Sequence, residues 1–172
     1  MLDAAELLHK ARVDVMAKLE ADAGGTPGGS GLAAMALRTS MRNRFPSIVM
    51  TLHRAGGIVR VGLQLAGGGV LHARITQESA QLLQIERGLS ILALCKATAV
   101  RVAPTIARSE SINLVQGTVT RASRSSRGGE VAVQLGGGVS LVGFCQPGPP
   151  LCAGRAVMAS VEESRVVLAA VG

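Results

Sequence analysis

Apolar and polar positions alternate along most of the chain after residue 37, which is typical of β-strands. The pattern occurs twice. Residues 61–75, VGLQLAGGGVLHARI, and residues 131–144, VAVQLGGGVSLVGF, each consist of an apolar run, three glycines and a second apolar run. Two alternating runs joined by a glycine-rich turn indicate a β-hairpin, because glycine adopts positive φ at little steric cost. The sequence therefore predicts two hairpins of the same kind.

Other residues repeat at the same spacing. Asn43 and Asn113 are 113 − 43 = 70 positions apart, and Gln64 and Gln134 are 134 − 64 = 70 positions apart. A repeat of this length exceeds a solenoid unit and predicts two tandem copies of one small β domain. The predicted strands are 47–54, 58–65, 70–75, 89–95 and 98–102, then 115–122, 130–135, 139–145, 155–161 and 166–170, with a short helix at 76–83. Five strands and a helix after the third are the outline of an OB-like barrel.

The region before the strands has a different pattern. Residues 1–23 predict an α-helix with one apolar stripe at 3–4 spacing. The stripe consists of Ala4, Leu8, Ala11, Val15 and Leu19. This helix packs on the β body or serves in dimerisation. Residues 24–36 begin with GGTPGGSG and predict a flexible linker. The expected organisation is then a mainly β protein with a first barrel over 37–104 and a second over 105–172.

Composition narrows the choice of partner. The net charge of +7 favours an anion, which means nucleic acid, a membrane surface or a small oxyanion. Two phenylalanines, with no tyrosine or tryptophan, count against a protein that stacks single-stranded bases. The sequence contains neither a run of about 20 apolar residues nor the pattern of a signal peptide. We therefore expect a cytoplasmic protein that does not span a membrane.

Motifs of catalysis and metal binding are absent from the sequence. The glycine triplets lack the GxxxxGK of a P-loop, and there is no GxSxG, HExxH or CxxC. Cys95, Cys145 and Cys152 are expected to be reduced thiols. We expect neither an enzyme nor a metal site.

Three segments of the first copy carry groups that suit an oxyanion. Residues 39–44, TSMRNR, offer hydroxyls, N–H groups and guanidinium groups, although they also fit a solvated lead-in to a strand. Thr76 and Ser79 fit the start of a helix, where ordinary capping is the simpler interpretation. Lys96 ends an apolar strand, where a lysine usually reaches solvent.

These motifs, in this order, resemble those of a Mop, or molbindin (TOBE), domain. Ser40-Met41-Arg42-Asn43 resembles the SARN motif, and the glycine hairpin, the T-x-x-S segment 76–79 and Lys96-Ala97 follow as in the family. The resemblance covers about residues 37–172. It implies OB-like barrels that bind molybdate or tungstate in the cytoplasm, at interfaces within an oligomer, most simply a homodimer. The ligands it implies are Ser40, Met41, Arg42, Thr76, Ser79, Lys96 and Ala97, with no organic cofactor.

The second copy departs from the motif. Ile112 replaces the arginine, Glu162 replaces the lysine, and QPGPPL at 146–151 replaces the T-x-x-S turn. A degenerate second copy resembles the effector-sensing region of ModE-type molybdate-responsive regulators, and we expect one molybdate per chain. The winged helix-turn-helix of that family is not in the sequence, so DNA would be reached only through such a missing domain. The chain is thus a fragment or a natural protein without the DNA reader.

Three alternatives stay open. The chain could be a free-standing molbindin for molybdate storage, an OB-type nucleic-acid-binding protein that uses the +7 charge, or a structural oligomer with a vestigial site.

Overall fold

The computed structural model describes residues 39–124 and 127–170, where the chain forms ten β-strands and one short α-helix. In chain order the elements are β1 (Asn43–Ala55), β2 (Ile58–Leu65), β3 (Val70–Thr76), α1 (Gln77–Leu82), β4 (Ser90–Cys95), β5 (Arg101–Ala103), β6 (Ile112–Ala122), β7 (Gly129–Gln134), β8 (Ser140–Cys145), β9 (Ala156–Glu162) and β10 (Val167–Ala169). The predicted helix 1–23 and linker 24–36 lie outside the described residues.

The strands follow the predicted alternation closely. β2 has the predicted bounds, and β1 begins four residues before the predicted strand 47–54. Buried and half-buried positions alternate from Asn43 to Val49 in β1, as expected for a strand with one face on the core. The predicted strand 98–102 is corrected, because a 3₁₀ turn at Ala97–Ala99 takes its first half and β5 begins only at Arg101.

Each repeat gives its last strand to the other repeat. One sheet has the order β10-β4-β1-β2-β3, and a closed barrel is formed by β5-β8-β7-β6-β9. β5, from the first repeat, lies parallel to β8 and antiparallel to β9, whereas β10, from the second, lies antiparallel to β4. Each of the two sheets therefore contains strands from both sides of the boundary predicted at residue 104.

The first sheet follows the same strand order as the barrel. Within the described ranges no ladder of hydrogen bonds joins its edge strands β3 and β10, although these two strands contact each other. The chain from Ser40 onward is one compact unit, and its core contains buried residues of both repeats. That core is aliphatic apart from Phe45, since Phe144 is 38% exposed.

The two repeated asparagines join the repeats reciprocally. Asn43 donates its Nδ2–H to the carbonyl of Val142 (2.8 Å) and accepts at Oδ1 from the amide of Val142 (2.7 Å). Asn113 makes the same two bonds to His72, at 2.8 Å and 2.7 Å. Both asparagines are buried, so these paired bonds satisfy main-chain groups that would otherwise be costly to bury. They also fix each repeat against the third strand of the other.

The glycine triplets are turns, as predicted, and they also contact each other. A Cβ added at Gly137 would overlap the main chain of Gly67, whereas a Cβ at Gly68 would meet nothing within 4 Å. Gly137 also has φ +67°, a left-handed conformation that side chains with a Cβ rarely adopt. Glycine at 137 is therefore required both by the turn and by the close approach of the two repeats.

Candidate functional site

The predicted cations lie together at one end of the β1–β4 pair. Asn43, the first residue of β1, lies opposite Cys95, the last residue of β4. Arg42 directly precedes β1 and Lys96 directly follows β4, so this antiparallel register brings both side chains to the same end of the pair. The other predicted residues at that end are Ser40, Met41 and Ala97.

Arg42 binds a carboxylate from the other repeat. Its Nη1 donates to Glu130 at the start of β7, and Arg121 donates to the other carboxylate oxygen of Glu130 at 3.0 Å. The hydrogen bond from Arg42 is the main reason that the pKa of Glu130 lies below its ordinary value. The Arg42 side chain is 51% exposed and that of Glu130 is 31% exposed. Water and dissolved anions can therefore reach this pair.

Lys96 and Ala97 begin the turn that leads out of the first sheet. Lys96 is exposed, and it makes no ion pair with any residue in the described part of the chain. Ala97 is buried and begins the 3₁₀ turn, which is closed by a bond from the amide of Ala99 to the carbonyl of Lys96 (3.0 Å). An exposed ammonium beside an exposed guanidinium gives this end of the molecule a positive surface.

Thr76 and Ser79 form a helix cap, as the simpler interpretation predicted. The amide of Ser79 donates to Thr76 Oγ1 at 3.1 Å, and the two hydroxyl oxygens are 2.9 Å apart. α1 has only six residues and carries Glu78 in its first turn. The two hydroxyls are hydrogen-bonded to each other within this cap, and Thr76 is exposed.

One chain does not bring these hydroxyls to the two cations. Ala55 at the end of β1 pairs with Ile58, and Ile58 pairs with Thr76. Thr76 is thus at the opposite end of β1 from Arg42, roughly 40 Å away measured along an extended strand of this length. The predicted residues fall into two groups within the chain, with Thr76 and Ser79 separate from the other five.

The residue of the second repeat that is equivalent to Ala97 is Glu163, and its carboxylate is buried. Glu163 begins the 3₁₀ turn Glu163–Arg165 after β9, and it is 2% exposed. Arg60 of β2 donates from Nε to both carboxylate oxygens at 3.0 Å and from Nη2 to Oε1 at 2.6 Å. Arg74 Nε lies 4.0 Å from Oε2. The hydrogen bonds from Arg60 outweigh burial and lower the pKa of Glu163.

A cleft of about 370 Å³ adjoins this pair, in which Glu163 is buried and the side chain of Arg60 is 45% exposed. It is lined by Arg60, Val70, His72, Glu163 and residues 108–114, which include the segment that takes the place of the SARN motif. The amide of Glu163 donates to the carbonyl of Ser111 (2.9 Å), and Arg74 Nη1 donates to Ser111 Oγ (3.1 Å). Burial and the nearby Arg60 charge lower the pKa of His72 and favour its neutral form.

Glu163 was not predicted from the sequence, where only Glu162 stood out as a replacement. Glu162 stands where Lys96 does, but it is exposed and lies 3.8 Å from Arg165. β9 ends at Glu162, so Glu163 lies in the turn and not in the strand. One sequence signal could have identified Glu163, namely a charged residue at the position equivalent to Ala97. A charged side chain that is buried at such a position needs a counter-charge.

The cysteines are free thiols, and burial raises the pKa of Cys95 to about 11. Cys145 is half-buried and Cys152 is exposed. Residues 39–124 and 127–170 contain no cluster of three or more His, Cys, Asp or Glu that could hold a metal ion. None of the helices in those ranges is long and apolar enough to cross a membrane.

Residues 39–102 match the model of the TOBE domain family. The resemblance predicted from the motifs is confirmed for these residues. The chain is 33% identical over 146 residues to the transcriptional regulator ModE of Yersinia pestis, covering 80% of this chain and 55% of the relative. It is 28% identical over 112 residues to the molybdenum transport protein ModE of Herbaspirillum seropedicae, covering 64% of this chain and 42% of the relative. The chain spans about half the length of these curated relatives.

The fold also matches a solved structure. A structure of the cytoplasmic molybdate-binding protein ModG, with molybdate bound, has a TM-score of 0.70 and 27% identity to the chain. The match covers 78% of this chain and 99% of the ModG chain.

Proposed function

We propose that the chain binds molybdate, or tungstate, in the cytoplasm and is the effector-sensing part of a molybdate-responsive transcription regulator. The observation that carries this proposal is the register that brings Arg42 and Lys96 to one exposed end of β1 and β4. The ModE relatives and the molybdate-bound ModG support the choice of anion. DNA would be bound by a separate domain of such a regulator.

The proposed mechanism is capture of a tetrahedral dianion by hydrogen-bond donors alone. Arg42 and Lys96 balance its charge, and charge-assisted bonds are about twice as strong as neutral ones. The Ser40 hydroxyl and the main-chain N–H groups of Met41 and Ala97 complete this half of the site. The role is binding, without catalysis or an organic cofactor.

We further propose that a second copy of the chain supplies the other half of the site. Thr76 and Ser79 are at the far end of β1 from Arg42, so a homodimer is the simplest assembly that brings them to the anion. Binding would then favour one arrangement of the two copies, which is how an anion becomes a conformational signal. We propose in addition that the first sheet, like the barrel, is an OB-like barrel, so that 37–104 and 105–172 are two tandem Mop repeats after a helix at 1–23.

Calorimetric titration with molybdate tests the proposal. We expect one molybdate per chain, weak competition by sulfate, and a homodimer by light scattering. Absence of heat, together with a salt-sensitive affinity for oligonucleotides, would favour the nucleic-acid-binding alternative. Absence of both would leave a structural role.

Storage of molybdate is the second candidate. This chain matches 99% of the ModG chain but only about half of each ModE relative, and ModG is itself a molybdate-binding protein. This difference in coverage favours storage. Two or more tight molybdates per chain would overturn the regulator interpretation and support storage.

A further inference from the structure

The turns after β4 and β9 place residues 97 and 163 in equivalent positions. Lys96 precedes one turn with φ −70° and ψ 142°, and Glu162 precedes the other with φ −63° and ψ 139°. Each turn is a three-residue 3₁₀ helix, and each leads into the strand that crosses to the other sheet. The Cβ of Glu163 therefore projects from the backbone in the same direction as the methyl group of Ala97. The rest of the Glu163 side chain, which ends in the carboxylate, has no counterpart at Ala97.

That carboxylate has the partners that a small oxyanion needs. Two guanidinium groups, those of Arg60 and Arg74, face it from paired positions on β2 and β3. The Arg60 contact has the two-pronged geometry with which arginine binds carboxylate and phosphate alike. Arg108, Glu110 and Ser111 line the same cleft, which has room beyond the Glu163 carboxylate.

A carboxylate that is covalently attached competes strongly with a dissolved anion. Because it cannot diffuse away, its effective concentration at the guanidinium groups is in the millimolar range or above. It also repels a second anion at close range in a partly buried cleft. An oxyanion at micromolar concentration would not displace it.

We propose that Glu163 is an internal anion that closes a second oxyanion site, formed by Arg60 and Arg74 with Arg108 and Ser111, and that removing its carboxylate opens this site to a tetrahedral oxyanion. The ligand class is defined by charge and shape, so molybdate, sulfate and inorganic phosphate are all suitable probes. The inference concerns the second repeat and does not require that the first repeat binds molybdate.

The test is titration of Glu163→Ala with each of the three anions. We expect an additional anion per chain, bound at least about 100-fold more tightly than any second anion of the wild type. Glu162→Ala, which removes an exposed carboxylate one residue away, is the matched control and should gain no anion. Adding Arg60→Ala to Glu163→Ala should abolish the gain.

Glu163→Gln is a second variant that keeps the volume and hydrogen-bonding capacity of the side chain. It should remain folded if the alanine variant does not, and it should bind the additional anion more weakly than the alanine variant. A folded Glu163→Ala or Glu163→Gln protein that gains no anion overturns the proposal. So does a gain that persists without Arg60.

An Arg42→Ala background separates this inference from the proposed function. In that background Glu163→Ala should still gain its anion through Arg60. A wild type that binds no molybdate, with a variant that does gain an anion, would refute the proposed function alone. A wild type that binds one molybdate, with variants that never gain another, would refute the inference alone.

Discussion

Two arginine–carboxylate pairs join the repeats, and they differ in how far water reaches them. Glu130, whose side chain is 31% exposed, accepts hydrogen bonds from Arg42 and Arg121. Glu163, whose side chain is 3% exposed, is held by the fork of Arg60. An exposed pair typically contributes about 0–1 kcal/mol, because water competes for both groups. A buried carboxylate that loses its partner costs several times more.

This difference shows how one scaffold gives two kinds of anion position. Glu130, a strand residue of β7, binds Arg42 where solvent reaches both side chains. Glu163 instead lies in the turn after β9 and is enclosed, although the side chain of Arg60 that holds it is 45% exposed. The two guanidinium groups therefore differ in how easily their carboxylate partners can be exchanged.

The largest effect is expected from Arg60→Ala, which leaves the buried Glu163 carboxylate without its main partner. Unfolding by urea should show a loss of about 4 kcal/mol in the free energy of unfolding. Arg165→Ala is the control, because it removes the partner of the exposed Glu162 and should cost less than about 1 kcal/mol. Equal losses in the two variants would mean that burial does not distinguish the pairs.

Most of the fold could be predicted because alternation reports directly on strands with one buried face. The 70-residue spacing of Asn43 and Asn113 also marked two residues that make equivalent hydrogen bonds in the structure. The exchange of β5 and β10 could not be predicted, since a strand of three residues has the same pattern whichever sheet it joins. Which sheet such a strand joins depends on the direction in which the chain leaves the preceding 3₁₀ turn.

The charged partners of the site were less predictable. Arg42 and Lys96 stood out as cations at the ends of predicted strands, whereas Glu130 and Arg60 are ordinary alternating residues of β7 and β2. Both residues matter because of partners that are distant in the sequence. Glu130 is 88 positions from Arg42, and Arg60 is 103 positions from Glu163. A pattern along the chain does not contain such pairings.

The two glycine turns also differ in how closely their glycines are packed. Gly137 lies against Gly67, whereas Gly68 faces open space. Gly137→Ala should lower the free energy of unfolding by about 3 kcal/mol, since it adds a left-handed residue and an overlap with Gly67. Gly68 also has positive φ, but a Cβ there would meet open space. Gly68→Ala should therefore lower the free energy of unfolding by only about 1 kcal/mol. Thermal denaturation monitored by circular dichroism compares the two. Similar losses would show that the packing of the repeats at Gly67 contributes little.

Arg42→Ala and Lys96→Ala should weaken molybdate binding by about 2 kcal/mol each, through loss of a charged hydrogen-bond partner. Both side chains are exposed, so the free energy of unfolding should change little. Titration calorimetry measures the affinity of each variant against that of the wild type. A variant with wild-type affinity would exclude its residue from the site.

The smallest effect should come from Glu130→Gln, and it tests whether the carboxylate bound to Arg42 is displaced by the anion. Arg42 now donates to Glu130, so a dianion that binds Arg42 must exchange with that carboxylate or lie beside it. Removing the negative charge should therefore tighten molybdate binding by about 1 kcal/mol, which is the scale of an exposed pair. Glu162→Gln makes the same change in net charge at the second repeat and should leave the affinity unchanged. Weaker binding by Glu130→Gln would show instead that Glu130 holds Arg42 in position for the anion.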